Sequence, residues 1–203
     1  MALASQETDL ALAVSVDYGQ RHIKELDSAR RVADVFGTPL MVLDLSAWGR
    51  SLRGSALTDR SVQVPLNEYD VQSMSVTVVP NRNATMLMAA AGVAESQGID
   101  EVWAAVHSGD HAIYADCRPE FIESAARTMA LGTEGRVALR APFVTMSKAD
   151  VVTTGAKLGA PFELTWSCYQ GGEVHCGRCG TCRERADAFR SAGVKDPTRY
   201  LEV

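Results

Sequence analysis

LALAVSVDYGQ, Leu10 to Gln20, is the run whose reading decides the fold. Leu10 to Val16 is apolar without alternation, the pattern of a strand covered on both faces of a parallel sheet. Asp17, Tyr18, Gly19 and Gln20 then break it, leaving polar groups at its carboxyl end. From Arg21 to Phe36 apolar residues recur at Ile23, Leu26, Ala29, Ala33 and Phe36, which is helical spacing. Gly37-Thr38-Pro39 stops the helix, and LMVLDL, Leu40 to Leu45, reads as a second buried strand. The expectation is a β-α-β unit with parallel strands and a right-handed crossover. Ahead of it, Met1 to Thr8 reads as the last turns of a helix.

Working outward, Ser46 to Val79 shows no sustained period and predicts a functional loop or lid, with filler as the bland alternative. Order returns at VPNRN, Val79 to Asn83, ahead of a helix reaching about Gln97. An asparagine there can cap the helix, and a helix start beside Arg82 attracts anions. EVWAAV, Glu101 to Val106, is the third strand. His107, Ser108, Gly109, Asp110 and His111 lie at its carboxyl end, where doubly wound sheets bind ligands. That stretch reads as a substrate-contacting loop ahead of a metal site. A helix from Pro119 to Leu131 and a strand from Val137 to Phe143 follow. Ser147 and Asp150 form a capping-box analogue, which puts Lys148 in the first turn of the next helix.

Near the end, Cys168, Cys176, Cys179 and Cys182 are spaced C-x7-C-x2-C-x2-C, with Gly171, Gly172, Gly177 and Gly180 between them. Four thiolates in such a window suit tetrahedral Zn²⁺ with a closed shell, a structural rather than catalytic site. Free thiols, a disulfide or an iron–sulfur cluster are the competing readings. The x7 spacing and the lack of a Cys-Pro ending argue against a ferredoxin-type cluster. His175 is read as a neighbour of the site, Cys117 as a small buried hydrophobe, and Thr181 to Ala192 as a closing helix before the tail at Tyr200-Leu201-Glu202-Val203.

The chain has 203 residues, 46% of them hydrophobic, and a net charge of −5. That size suits one domain with one core, and the acidic balance gives no support for nucleic acid as a partner. No apolar run suggests a membrane span or a secretion signal, and thiols held by metal fit the cytoplasm.

Five segments carry a resemblance: SVDYGQRH (Ser15–His22), VPNRN (Val79–Asn83), HSGDHAIYADCRPEFIE (His107–Glu123), SKAD (Ser147–Asp150) and TWSCYQGGEVHCGRCGTCRERADAF (Thr165–Phe189). Together, in this order, they resemble the 7-cyano-7-deazaguanine synthases of queuosine biosynthesis, within the PP-loop ATP pyrophosphatase superfamily. Ala115 stands where that pattern usually has a proline. The resemblance implies a doubly wound parallel sheet of the adenine nucleotide alpha hydrolase-like class, one domain over 1–203, and a zinc-binding helical segment over 165–192.

The reaction implied joins 7-carboxy-7-deazaguanine and ammonia, with two ATP and Mg²⁺, through an adenylated carboxylate and an adenylated amide to the nitrile preQ0. Arg82, Asp110 and Lys148 are the catalytic residues implied. Asn83, His107, His111 and Asp116 would contact substrate, with Tyr18 and Gln20 flanking the same crevice, and a homodimer is expected. Relatives open with an SGG-x-DS phosphate loop that these residues do not contain. The expectation is therefore a chain short at its front, or a silent relative that binds a deazaguanine or serves as an assembly partner. A sheet beginning at Leu10 would expose an apolar edge, so this chain alone is expected to be sticky and to release no AMP.

Overall fold

The computed structural model describes residues 1–67 and 71–201. Residues 68–70 of the predicted loop and 202–203 of the tail lie outside the described residues. The chain divides into two compact units, 1–79 with 152–203, and 80–151.

In the first unit, α1 (Ala4–Glu7) precedes β1 (Ala13–Asp17), α2 (Glu25–Val35) and β2 (Leu40–Asp44). β1 and β2 pair in parallel, from Ala13 opposite Leu40 to Asp17 opposite Asp44. The expected β-α-β order and parallel sense therefore form as read. α2 starts four residues later than its apolar spacing predicts. Its intended first residue, Arg21, donates its amide to Leu57 O at 2.7 Å instead of joining the helix.

The Ser46 to Val79 stretch differs from its expectation as a loop or lid. It contains α3 (Ser46–Ser51), α4 (Val71–Met74) and a 3-10 turn (Ser75–Thr77). Ala56, Leu57 and Thr77 are wholly buried, with Val64 and Met74 nearly so. Ala56, Leu57 and Val64 reach the core outside any helix or strand, as when Ala56 N donates to Val76 O at 2.7 Å. Periodicity cannot register burial of that kind.

α3 also comes very close to the end of β1. A Cβ on Gly49 would overlap Tyr18 O, while Leu45 N donates to Asp17 O at 2.7 Å. Only glycine fits that approach. Gly49→Ala is expected to cost about 1–3 kcal/mol through forced displacement of packed backbone, read as a lower denaturant midpoint. An unchanged midpoint would mean that α3 moves away freely.

The second unit holds α5 (Arg82–Ser96), β3 (Glu101–Trp103), α6 (Pro119–Gly132), β4 (Ala138–Arg140) and the first residues of α7 (Lys148–Lys157). β3 and β4 are parallel, Glu101 opposite Ala138 and Trp103 opposite Arg140. Leu87, Ala91 and Ala94 of α5 pack with Ile122, Ala125 and Met129 of α6 and with Val137. Pro119 starts α6 at a position where the missing N–H costs nothing. The capping box at α7 forms as predicted: Asp150 N donates to Ser147 Oγ at 3.2 Å, and Ser147 N to Asp150 Oδ2 at 2.9 Å. The described strands are short and make two parallel pairs, β1–β2 and β3–β4. The α/β class and parallel sense hold at that level.

Candidate functional site

The four cysteines meet. Their sulfur atoms all lie within 4.8 Å of one another, and Cys176 Sγ is 3.9 Å from Cys182 Sγ. Zinc–sulfur bonds of about 2.3 Å would put tetrahedral sulfurs about 3.8 Å apart, so the donor set fits a metal ion such as zinc. Three local features bring this about. Cys168 comes from an extended lead, Cys176 and Cys179 from a turn, and Cys182 from the first turn of α8 (Gly180–Ala192). Gly177, at φ 72°, supplies the left-handed residue of that turn.

Backbone amides point at the sulfurs. Cys176 Sγ accepts from Cys179 N at 3.2 Å and Arg178 N at 3.4 Å, and Cys168 Sγ accepts from Cys176 N at 3.4 Å. Such donors favour thiolates. Hydrogen bonds with Cys168 and Cys182 draw the Cys179 thiol well below its ordinary value, and those with Cys168 and Cys179 push Cys182 up. Binding a divalent cation at such a group requires the thiols to give up their protons.

His175 is a neighbour rather than a ligand in this geometry. Its Nε2 accepts from Ser167 N at 3.1 Å, and its ring lies 4.4 Å from Trp166. Burial, then the Arg185 charge, lowers its pKa to about 4, so the ring is neutral near pH 7 and able to accept that bond. Arg185, which the spacing argument passed over, binds the segment together. It donates to Thr198 Oγ1 (2.5 Å), Thr165 Oγ1 (2.8 Å), Ser167 Oγ (3.2 Å) and Phe162 O (3.0 Å). Asp196 follows from it. Burial acts to raise that carboxyl, but hydrogen bonds from Thr198 and Tyr200 and the Arg185 charge leave it below its usual value. Its contribution to stability is therefore present above the unfolded carboxylate pKa and lost as pH falls through the lowered one.

In the second unit Arg82, Asn83, Asp110 and Asp116, four of the predicted residues, meet around Cys117 near the start of α5. Asn81 sits in the left-handed region (φ 57°) and makes no side-chain cap, contrary to expectation. The cap comes from across the chain instead. Asp116 Oδ2 accepts from Asn83 N at 2.8 Å, while Asn83 Nδ2 donates to Asp116 O at 3.0 Å and Cys117 Sγ at 3.2 Å. The anion at this helix start is thus Asp116 itself. Arg82 Nε donates to Asn83 Oδ1 at 3.2 Å, and His107 Nε2 lies 3.4 Å from Asp110 Oδ2. His111 O accepts from Arg118 Nε at 2.9 Å, and Lys148 stands half-buried in the first turn of α7. Asp116→Ala should cost about 0.5–2 kcal/mol as a lost helix cap, visible as a lower melting temperature. A melting temperature equal to wild type would show the cap to be idle.

Cys117 is a buried member of this group that the sequence treated as inert. Burial, and after it the charges of Asp110 and Asp116, pushes its thiol up to about 12. That setting disfavours the thiolate. The group brings together a guanidinium, two carboxylates, an amide and an imidazole.

Tyr18 and Gln20 lie in the first unit, 2% and 3% exposed. Gln20 spends its side chain locally: Oε1 accepts from Tyr18 N at 2.8 Å, and Nε2 donates to Val16 O and Glu25 Oε1. It fixes the turn that ends β1.

The chain matches the family described as queuosine biosynthesis protein QueC over residues 1–193. It is 55% identical over 202 residues to the 7-cyano-7-deazaguanine synthase of Brucella anthropi, covering 98% of this chain and 86% of that one. The enzyme of the same name from Allorhizobium ampelinum is 56% identical over 196 residues, covering 96% and 83%. That from Chelativorans sp. is 54% identical over 199 residues, covering 97% and 85%.

Proposed function

We propose, for a chain that belongs to the queuosine biosynthesis protein QueC family, an ATP-dependent ligase that makes 7-cyano-7-deazaguanine from 7-carboxy-7-deazaguanine and ammonia. The observation that carries this reading is the likeness to synthases of that name along nearly the whole chain. The fold that goes with it is an adenine nucleotide alpha hydrolase-like sheet, taken here as one domain over 1–203, in a cytoplasmic homodimer without nucleic-acid or membrane partners.

The chemistry follows from a poor electrophile. A carboxylate resists ammonia, so one ATP converts it to an acyl adenylate with loss of pyrophosphate. Ammonia then displaces AMP to leave the amide. A second ATP adenylates the amide oxygen, again releasing pyrophosphate, and loss of AMP and the nitrogen-bound protons leaves C≡N. Both oxygens of the carboxylate depart on AMP. The protein's part is orientation and charge neutralisation. Arg82 and Lys148 supply positive charge against the transferred groups, with Mg²⁺ accompanying the phosphates. Asp110, held by His107, and the Asn83–Asp116 pair supply acceptors and donors for the deazaguanine, with His111 beside them. Tyr18 and Gln20 shape the end of β1. The four-cysteine site holds zinc in a structural role.

Ligand-induced stabilisation tests the reading. 7-Carboxy-7-deazaguanine at about 100 times its Kd should stabilise the protein by about 2.7 kcal/mol, and adenine and uracil should not. Arg82→Ala and Asp110→Ala should each shrink that shift while leaving the ligand-free melting temperature near wild type. Equal shifts with unrelated bases would overturn the assignment.

A further inference from the structure

We infer that the four-cysteine metal site orders a segment far from it in sequence, residues 55–67, and through Arg21 and Lys24 the turn that ends β1. The inference goes beyond the proposed reaction and does not depend on it.

Residues 55–67 contain no helix or strand of their own, yet Ala56 and Val64 are buried against Cys168, Cys179 and Cys182. The cysteine group is thus part of the apolar core of this stretch, with Val76, Trp166, Tyr169 and Tyr200 packed against it. The far end of the stretch is fastened to the same knuckle. Leu66 bridges Cys179 in antiparallel sense, Asn67 N donates to Arg178 O at 2.8 Å, and Arg183 Nη1 donates to Asn67 O. A bound cation would fix the four sulfurs in place, and with them the surface that Ala56 and Val64 pack on.

Arg21 carries that order to β1. Its guanidinium reaches three carbonyls of the stretch, Ala56 O (3.1 Å), Asp59 O (3.4 Å) and Val62 O (2.9 Å), while its amide holds Leu57 O. A planar five-donor fork suits that task, and lysine does not. From the other side, Lys24 Nζ donates to Glu173 O at 2.8 Å and lies 5.2 Å from the Trp166 ring. His22 meets Tyr169, the residue after Cys168, at 5.2 Å between ring centroids. Gly171, at φ +67°, leaves no room for a Cβ over Arg21 O. Three side chains after Gly19, those of Arg21, His22 and Lys24, thus tie β1 to the stretch or to the metal loop, and Arg21 is a positioning residue.

Hydrogen exchange on the full chain, with zinc bound and after chelation, tests this. The amides of Arg21, Ala56 and Asn67 should exchange about tenfold or more faster after chelation, along with Cys176 to Cys182, while α5 and α6 keep their protection. Arg21→Met, with zinc bound, should loosen 56–62 while keeping one metal per chain and the protection of Cys176 to Cys182. Loss confined to 168–182 would overturn the inference, and so would loss spread evenly over both units. Unchanged exchange at Ala56 in Arg21→Met would remove Arg21 from the account. Because the readouts are exchange and metal content, failure here leaves the proposed reaction to be judged by its own test.

Discussion

Cys179→Ala is expected to abolish metal binding and to produce the largest loss of stability of any single substitution in the chain. Its sulfur is wholly buried among the other three, and Ala56 and Val64 pack on that group. Structural zinc contributes about 10–16 kcal/mol of apparent binding free energy in isolated zinc modules, against a total stability of about 5–15 kcal/mol for a typical domain. The variant should therefore purify without zinc and melt far below wild type. Acid should mimic the mutation, because ligands must be deprotonated to bind: metal affinity falls as pH falls. Metal analysis beside a thermal melt checks both. A variant that melts like wild type, or wild-type protein that contains iron with visible absorbance, would contradict the assignment.

Arg185→Met comes next. The guanidinium is buried, and burial lowers its pKa despite the opposing charge of Asp196. Its hydrogen bonds join the lead into the metal segment at Phe162, Thr165 and Ser167 to the tail at Thr198. Removing one member of a buried ionic group costs about 3–5 kcal/mol, since its partners stay desolvated. Methionine keeps much of the volume, so the loss reports the hydrogen bonds rather than a cavity. The measurement is the denaturant midpoint, with metal content assayed in parallel. A loss under about 1 kcal/mol would mean that water replaces the guanidinium at little cost.

The parts of the fold that the sequence discloses are those with a repeat. LALAVSV and LMVLDL are mostly apolar and do not alternate, and they pair in parallel from Ala13–Leu40 to Asp17–Asp44. The cysteine spacing likewise discloses the metal group, because four ligands must converge within one short window. What stays hidden depends on contacts between residues far apart in sequence. Asp116 caps a helix that begins more than thirty residues earlier, and nothing at Asn81 announces that its own side chain stands aside. The 55–67 stretch reads as loop because its burial is secured by Arg21 and by the cysteines rather than by any period of its own. Gly49 looks like an ordinary helix glycine until Tyr18 O is placed against it.

The most direct test of the central claim is made in the organism that carries the gene. Deleting it should remove queuosine from tRNA, and supplied 7-cyano-7-deazaguanine should restore the nucleoside while supplied 7-carboxy-7-deazaguanine should not. The block then lies at the carboxylate-to-nitrile step. Queuosine that persists in the deletion strain, or that returns when the carboxylate is supplied, would contradict the account.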